Sequence, residues 1–177
     1  MAGVERGRRT ATVEDELVVF FIGMRINHLW KLHRWLPVFV AMPAMLAELR
    51  RHPELGLLGR PRTFWSGRTI AVHQVWASYE QLEAFARTPA NSHLGAWRKF
   101  NQRVGTNGTV GIFHETYLVG PGTTEQVYVN MAPMGLGAAV GTLPPGPRQQ
   151  RAADRLGRGR HAGEDLGEGA LSEGSLD

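Results

Sequence analysis

The chain has no cysteine among its 177 residues. Disulfides, thiolate metal sites and cysteine nucleophiles are therefore excluded, and a reducing compartment such as the cytoplasm is the expected location. Lysine is almost as scarce, with 18 arginines beside only Lys31 and Lys99. Such a bias suits phosphate or carboxylate recognition, although GC-rich coding produces the same count. A net charge of +4 with a pI near 10.1 gives only modest attraction to polyanions. Long apolar runs are missing too. "LVVFFIGM" has eight residues, and "WLPVFVAMPAMLA" has thirteen with two prolines inside, against ~20 for a spanning helix. No small-residue cleavage site follows the first run, so neither a signal peptide nor a membrane partner is expected.

Aromatic residues are absent after about residue 141, where glycine, proline and blocked charge take over. Arg148, Arg151, Arg155, Arg158 and Arg160 come first, then Glu164, Asp165, Glu168, Glu173 and Asp177. With little apolar surface to offset the entropy of ordering, residues 141–177 are expected to form a disordered, self-compensating tail. Residues 1–14 are expected to be a second, shorter one. One folded domain is left, residues 15–140.

Inside it the periodicities alternate. "ELVVFFIGMRIN" predicts a buried strand whose second face turns polar at Arg25 and Asn27. Pro37 suits a first helical turn, and Phe39, Met42, Leu46 and Leu49 share one side of the following helix, which Pro43 is expected to kink or restart. "RTFWSGRTIAVHQVWAS" predicts a hairpin turning at Ser66-Gly67. Ser78 and Gln81 have capping-box spacing ahead of Leu82, Phe85 and Ala86. "NSHLGAWRKFNQRVG" predicts another helix with Gly105 as its C-cap. "GIFHETYLV" and "EQVYVNMAP" predict the last strands, with Asn130 either meeting a ligand or ending the strand. The order is that of an α+β, ferredoxin-like βαββαβ domain. Every strand is apolar on both faces, and helices cover only one face of such a sheet. The other needs a partner, most economically a second copy across a two-fold axis.

"MRINHLWK", "WASYEQLEAFARTPANSHLGAWRKFNQRVG", "GIFHETYLV" and "VYVNMAPMGLG" together resemble a family of bacterial and fungal proteins filed as a domain of unknown function. That family is grouped with the antibiotic-biosynthesis-type monooxygenases of the dimeric α+β barrel class. The likeness spans residues 17 to 138, with Ala132 in place of a family proline. It implies a homodimer and a monooxygenase-like activity on a small apolar, polyketide-like compound, without a cofactor. The alternative is a non-catalytic barrel that binds or senses haem or another hydrophobic molecule. The haem-degrading branch pairs a strand asparagine with a helix tryptophan and a downstream ligand histidine. Those helix positions fall here on Phe85 and Gly95, and His93 is displaced by ~200° around a helix. Haem binding stays open, but that pattern is not matched.

Cofactor-free oxygenation requires a base tuned near neutrality, and histidine serves most simply. His93, one helical turn before Trp97, is one candidate, with a capping role as its alternative. His114 in "FHET" is the other; its alternatives are a buried, hydrogen-bonded histidine or an interface salt bridge from Glu115 to an arginine such as Arg25. Arg25, Asn27, Trp30, Trp97 and Tyr117 are the expected substrate contacts. His73 is expected to be structural, and Trp65 and Trp76 to be core. The stretch "RINHLWKLHRW" reads as a strand exit and pocket rim, because His28 and His33 stand five apart rather than four. No histidine pair has convincing ligand spacing, so no metal is expected. Phe113 and Tyr117 superficially resemble the aromatics of an RNA-binding sheet. The Lys/Arg-Gly start of that motif is missing, so nucleic acid is not an expected partner.

Overall fold

The computed structural model describes residues 3–87 and 108–158, apart from the side chains of Ala44 and Glu48. Six strands are present among these residues: β1 (Glu5–Arg9), β2 (Leu17–Ile26), β3 (Leu57–Ser66), β4 (Thr69–Trp76), β5 (Val110–Val119) and β6 (Tyr128–Met131). Helix α1 (Leu32–Arg51) joins β2 to β3, and α2 (Tyr79–Arg87) follows β4. Four strands form one antiparallel sheet in the order β3-β4-β2-β5. This is the ferredoxin-like arrangement, in which the two strands joined by α1 are separated by β4.

Strand β2 sits inside the sheet because both its faces are apolar. Its register sets which residues share a side. Val18, Phe20, Ile22 and Met24 lie opposite Trp76, Gln74, Val72 and Ile70 of β4, and this is the side that α1 and α2 cover. Val19, Phe21, Gly23 and Arg25 lie opposite Val75, His73, Ala71 and Thr69 on the other side. Trp76, Leu49 and Val18 are buried together with Met45, Leu82 and Phe85. The backbone N–H of Gln81 donates to Ser78 Oγ at 3.2 Å, so Ser78 caps α2 as its spacing predicts.

Several expectations need correction. Helix α1 starts at Leu32, so Pro37 lies inside it rather than in its first turn, and it runs through Pro43 without restarting. The hairpin turns at Gly67-Arg68, with Gly67 at φ 56°. The helix predicted over 91–105 lies outside the described residues.

The largest differences are at the ends. Residues 5–9 form β1, which pairs with β6 in a separate two-stranded sheet. The Gly7 N–H donates to Asn130 Oδ1 at 2.9 Å, so Asn130 serves this pairing. Residues 141–158 are also structured, with a bridge from Thr10 to Leu143 and a short helix Ala152–Arg155. Polar groups, not apolar burial, hold this segment. Glu5 accepts hydrogen bonds from Arg9 and Thr142, and the one from Thr142 does most to hold its carboxyl below the usual range. Arg155, nearly buried, pairs with Glu125 and donates to the carbonyls of Gln149 and Gln150. Composition alone does not reveal partners so distant in sequence. Residues 159–177 lie outside the described part.

Candidate functional site

Strand alternation and helical spacing together leave a cavity of about 220 Å³ between α1 and the sheet. Its floor is Ile22 and Met24 of β2, Ile70 and Val72 of β4, and Ile112 of β5. Its roof is Phe39, Met42, Met45 and Leu46, successive inner positions of α1. Three methionines among these give walls that can adapt to an occupant. Thr63 and Trp65 of the edge strand close one side, and Trp65 is 67% exposed, so the cavity reaches the surface there. The Trp65 indole N–H donates to Gly67 O at 2.8 Å, and its ring meets Phe39 edge-on at 6.3 Å. Among the described residues of this lining Thr63 supplies the only side-chain hydroxyl, and none is titratable.

A polar side chain on the same side of the sheet is two residues along β4 from Val72. Gln74 is 2% exposed; its Oε1 accepts the Trp76 indole N–H at 2.9 Å, and its amide nitrogen has no partner among the described residues. The Trp76 donor fixes the amide orientation, which leaves two buried N–H groups unsatisfied. Sequence reasoning missed Gln74. The available signal was a single amide in the otherwise apolar positions of "IAVHQVW".

The expected site residues do not converge on this cavity. Arg25 and Tyr117 lie on the opposite face of the sheet, because they occupy the other parity of β2 and β5. Tyr117 donates to the Glu115 carboxylate, and that bond raises the Tyr117 pKa. Asn27 closes the end of the β2–β5 pair, donating from Nδ2 to Gly108 O at 2.8 Å. Trp30 is 72% exposed and rests edge-on against His28 at 5.1 Å. His114 is on the cavity side of β5, two residues past Ile112, but it is exposed and its ring lies 5.7 Å from Phe20. His93 and Trp97 lie outside the described residues. Trp76 is core as expected, whereas Trp65 is at the cavity opening.

The opposite face carries Phe21 in edge contact with Phe64 (6.5 Å) and tilted against Phe113 (5.6 Å). Gly23 makes room for this: a Cβ there would lie 2.6 Å from the Phe113 ring and 2.7 Å from Ile70 O. His73 is next to Phe21 in register, opposite Arg62 on β3 and beneath Gly135. Burial lowers its pKa from the usual 6.5.

The described lining offers no imidazole or phenolate to an iron and no cation to propionates, and no three His, Asp or Glu converge among the described residues.

Residues 17–136 match the family model described as monooxygenase af470-like. The chain belongs to this monooxygenase af470-like family. The resemblance carried by four blocks of the sequence therefore holds across the folded core. A relative, monooxygenase af470 of Aspergillus fumigatus, is 34% identical over 164 residues, covering 77% of this chain and 55% of that protein. The chain thus spans about half the length of this curated relative. Among solved structures, an aldoxime dehydratase in complex with butyraldoxime has the same fold at a TM-score of 0.64. It is 17% identical, over 79% of this chain and 42% of that one. SnoaB, a cofactor-independent oxygenase from Streptomyces nogalater, is more distant, at a TM-score of 0.41 and 13% identity over 58% of this chain and 91% of that one.

Proposed function

We propose that this member of the monooxygenase af470-like family oxygenates a small apolar, polyketide-like compound held between α1 and the sheet. The observation that carries this reading is the cavity itself, open at Trp65 and apolar on every described side except for Thr63. A phenolic carbon acid suits it, because such a substrate supplies its own electrons. Loss of a C–H proton gives a stabilised carbanion, which passes one electron to O2, and recombination forms the C–O bond of a hydroperoxide. Loss of the second C–H proton then breaks the O–O bond, so that a methylene group and O2 become a carbonyl group and water with no external reductant. His114 accepts the proton in this reading, with His93 as the other candidate, and the free Gln74 amide donates to the developing oxyanion.

The part of the other sheet face that Val13, Leu136 and Ala139 leave uncovered, with Phe21, Phe64 and Phe113 at its centre, packs in this reading on a second copy, which makes the working unit a homodimer.

A second reading is favoured by the lack of any titratable side chain in the described lining: a barrel that binds its apolar ligand without reacting. An anthrone distinguishes the two. Under nitrogen it should quench tryptophan fluorescence saturably, and in air it should consume one O2 per molecule converted to the quinone. Saturable quenching without oxygen uptake would leave the binding barrel. Neither quenching nor uptake would remove the cavity as the site.

A further inference from the structure

Helix α1 is apolar on two sides. Its inner side packs on the sheet through Phe39, Met42, Met45 and Leu49. Its outer flank presents Leu32, Leu36, Val40 and Pro43, all exposed. At 100° per residue these four fall within a sector of about 80° beside Phe39. Because Phe39 touches Trp65, the outer flank and the cavity opening are on the same side of the molecule. Leu29 and Trp30, both exposed, extend the stripe beyond the start of the helix. The β3–β4 hairpin tip adjoins that loop, since Arg68 Nη1 donates to Asn27 O at 3.3 Å. Two exposed tryptophans and a row of aliphatic side chains therefore share one side, an apolar patch of the kind soluble surfaces rarely leave uncovered.

The charge around it has one sign. There is no acid between Glu16 and Glu48, nor between Glu54 and Glu80; of the cations in these stretches, Lys31 and Arg34 flank the start of the stripe and Arg68 the hairpin tip, whereas Arg25 and Arg62 belong to the opposite sheet face. Tryptophan beside a headgroup, leucine and valine among acyl chains and cations against phosphates are the three contacts of an interfacial surface. A nucleic acid would use the aromatics and cations but gain nothing from Leu32, Leu36 and Val40. A second copy would set like charge against like.

We propose that this side of the molecule adsorbs to an anionic phospholipid bilayer, with the cavity opening at Trp65 turned to the acyl chains. An apolar substrate then enters from the membrane without crossing water. No helix among the described residues is long and apolar enough to cross a bilayer; adsorption needs none. The loading step rests on the function proposed above, whereas adsorption does not.

The test is co-sedimentation of the full chain with phosphatidylcholine vesicles, with and without phosphatidylglycerol. Anionic vesicles should bind at least about tenfold more tightly than neutral ones, less so in high salt, with a blue shift of tryptophan emission. The Trp30→Ser/Leu36→Ser variant, changed only at exposed positions, should keep its circular dichroism and lose about tenfold in vesicle affinity. No binding to anionic vesicles would overturn the proposal. So would unchanged binding by the variant together with displacement by single-stranded DNA, which would mean simple polyanion binding. A variant that turns a dimer into a monomer would assign the stripe to a second copy instead. Vesicle binding without anthrone quenching would leave adsorption standing and remove the cavity function.

Discussion

Val18, Ile22 and Met24 leave β2 toward the helices and are buried, while Arg25, the next residue, leaves the other way and is exposed. The same contrast holds across the sheet. On the helix side, Ile70, Val72 and Ile112 surround empty space. On the other side, beyond the end covered by Val13 and Leu136, Phe21 meets both Phe64 and Phe113 among His73, Arg62, Glu115 and Tyr117. The covered face thus has room and little polarity, whereas the open face has polarity and closely grouped rings. A small apolar ligand belongs with the first and a protein surface with the second.

The contrast can be broken from either side. Trp76→Ala should cost about 3–5 kcal/mol in urea unfolding, since it empties the covered core and strips Gln74 of its donor. Gly23→Ala should cost about 1–3 kcal/mol, because the new methyl meets the Phe113 ring and an Ile70 carbonyl that cannot both retreat. Filling the cavity with Met42→Trp should weaken anthrone quenching at least about tenfold while changing stability by less than about 1.5 kcal/mol. Equal quenching by this variant would place the ligand elsewhere. Phe64→Arg on the open face should convert a dimer to a monomer in light scattering, at about 0.5 kcal/mol or less in monomer stability.

The smallest effect concerns pH. Burial lowers the His73 pKa, so below its usual 6.5 the unfolded chain binds a proton more readily than the folded one. Stability is therefore intact above that pH and declines as pH falls toward the folded value. His73→Gln should flatten this part of the pH–stability curve. An unchanged slope would assign the decline to other groups.

Much of the main sheet was legible in sequence, because β2, β4 and β5 announce themselves by β-branched and aromatic runs, and Ser78 by its spacing from Gln81. The site was less legible. His114, Arg25 and Tyr117 were chosen for their chemistry; strand parity places Arg25 and Tyr117 on the face away from the cavity, and the cavity is lined by residues that look like ordinary core. The terminal segments were misread for a related reason. Glu5, Thr142, Glu125 and Arg155 gain their meaning from partners far away in sequence, and a composition rich in glycine and arginine gives no sign of them.

By itself, then, the sequence determined the alternation of elements, the apolarity of both faces of β2 and the absence of thiol chemistry. These follow from local period and residue type. Only the tertiary structure decided that α1 stands off the sheet far enough to leave a cavity, that Gln74 on the same side of the sheet keeps an amide unsatisfied among the described residues and that the two ends clasp each other. Each depends on how side chains distant in sequence fill, or fail to fill, a shared volume.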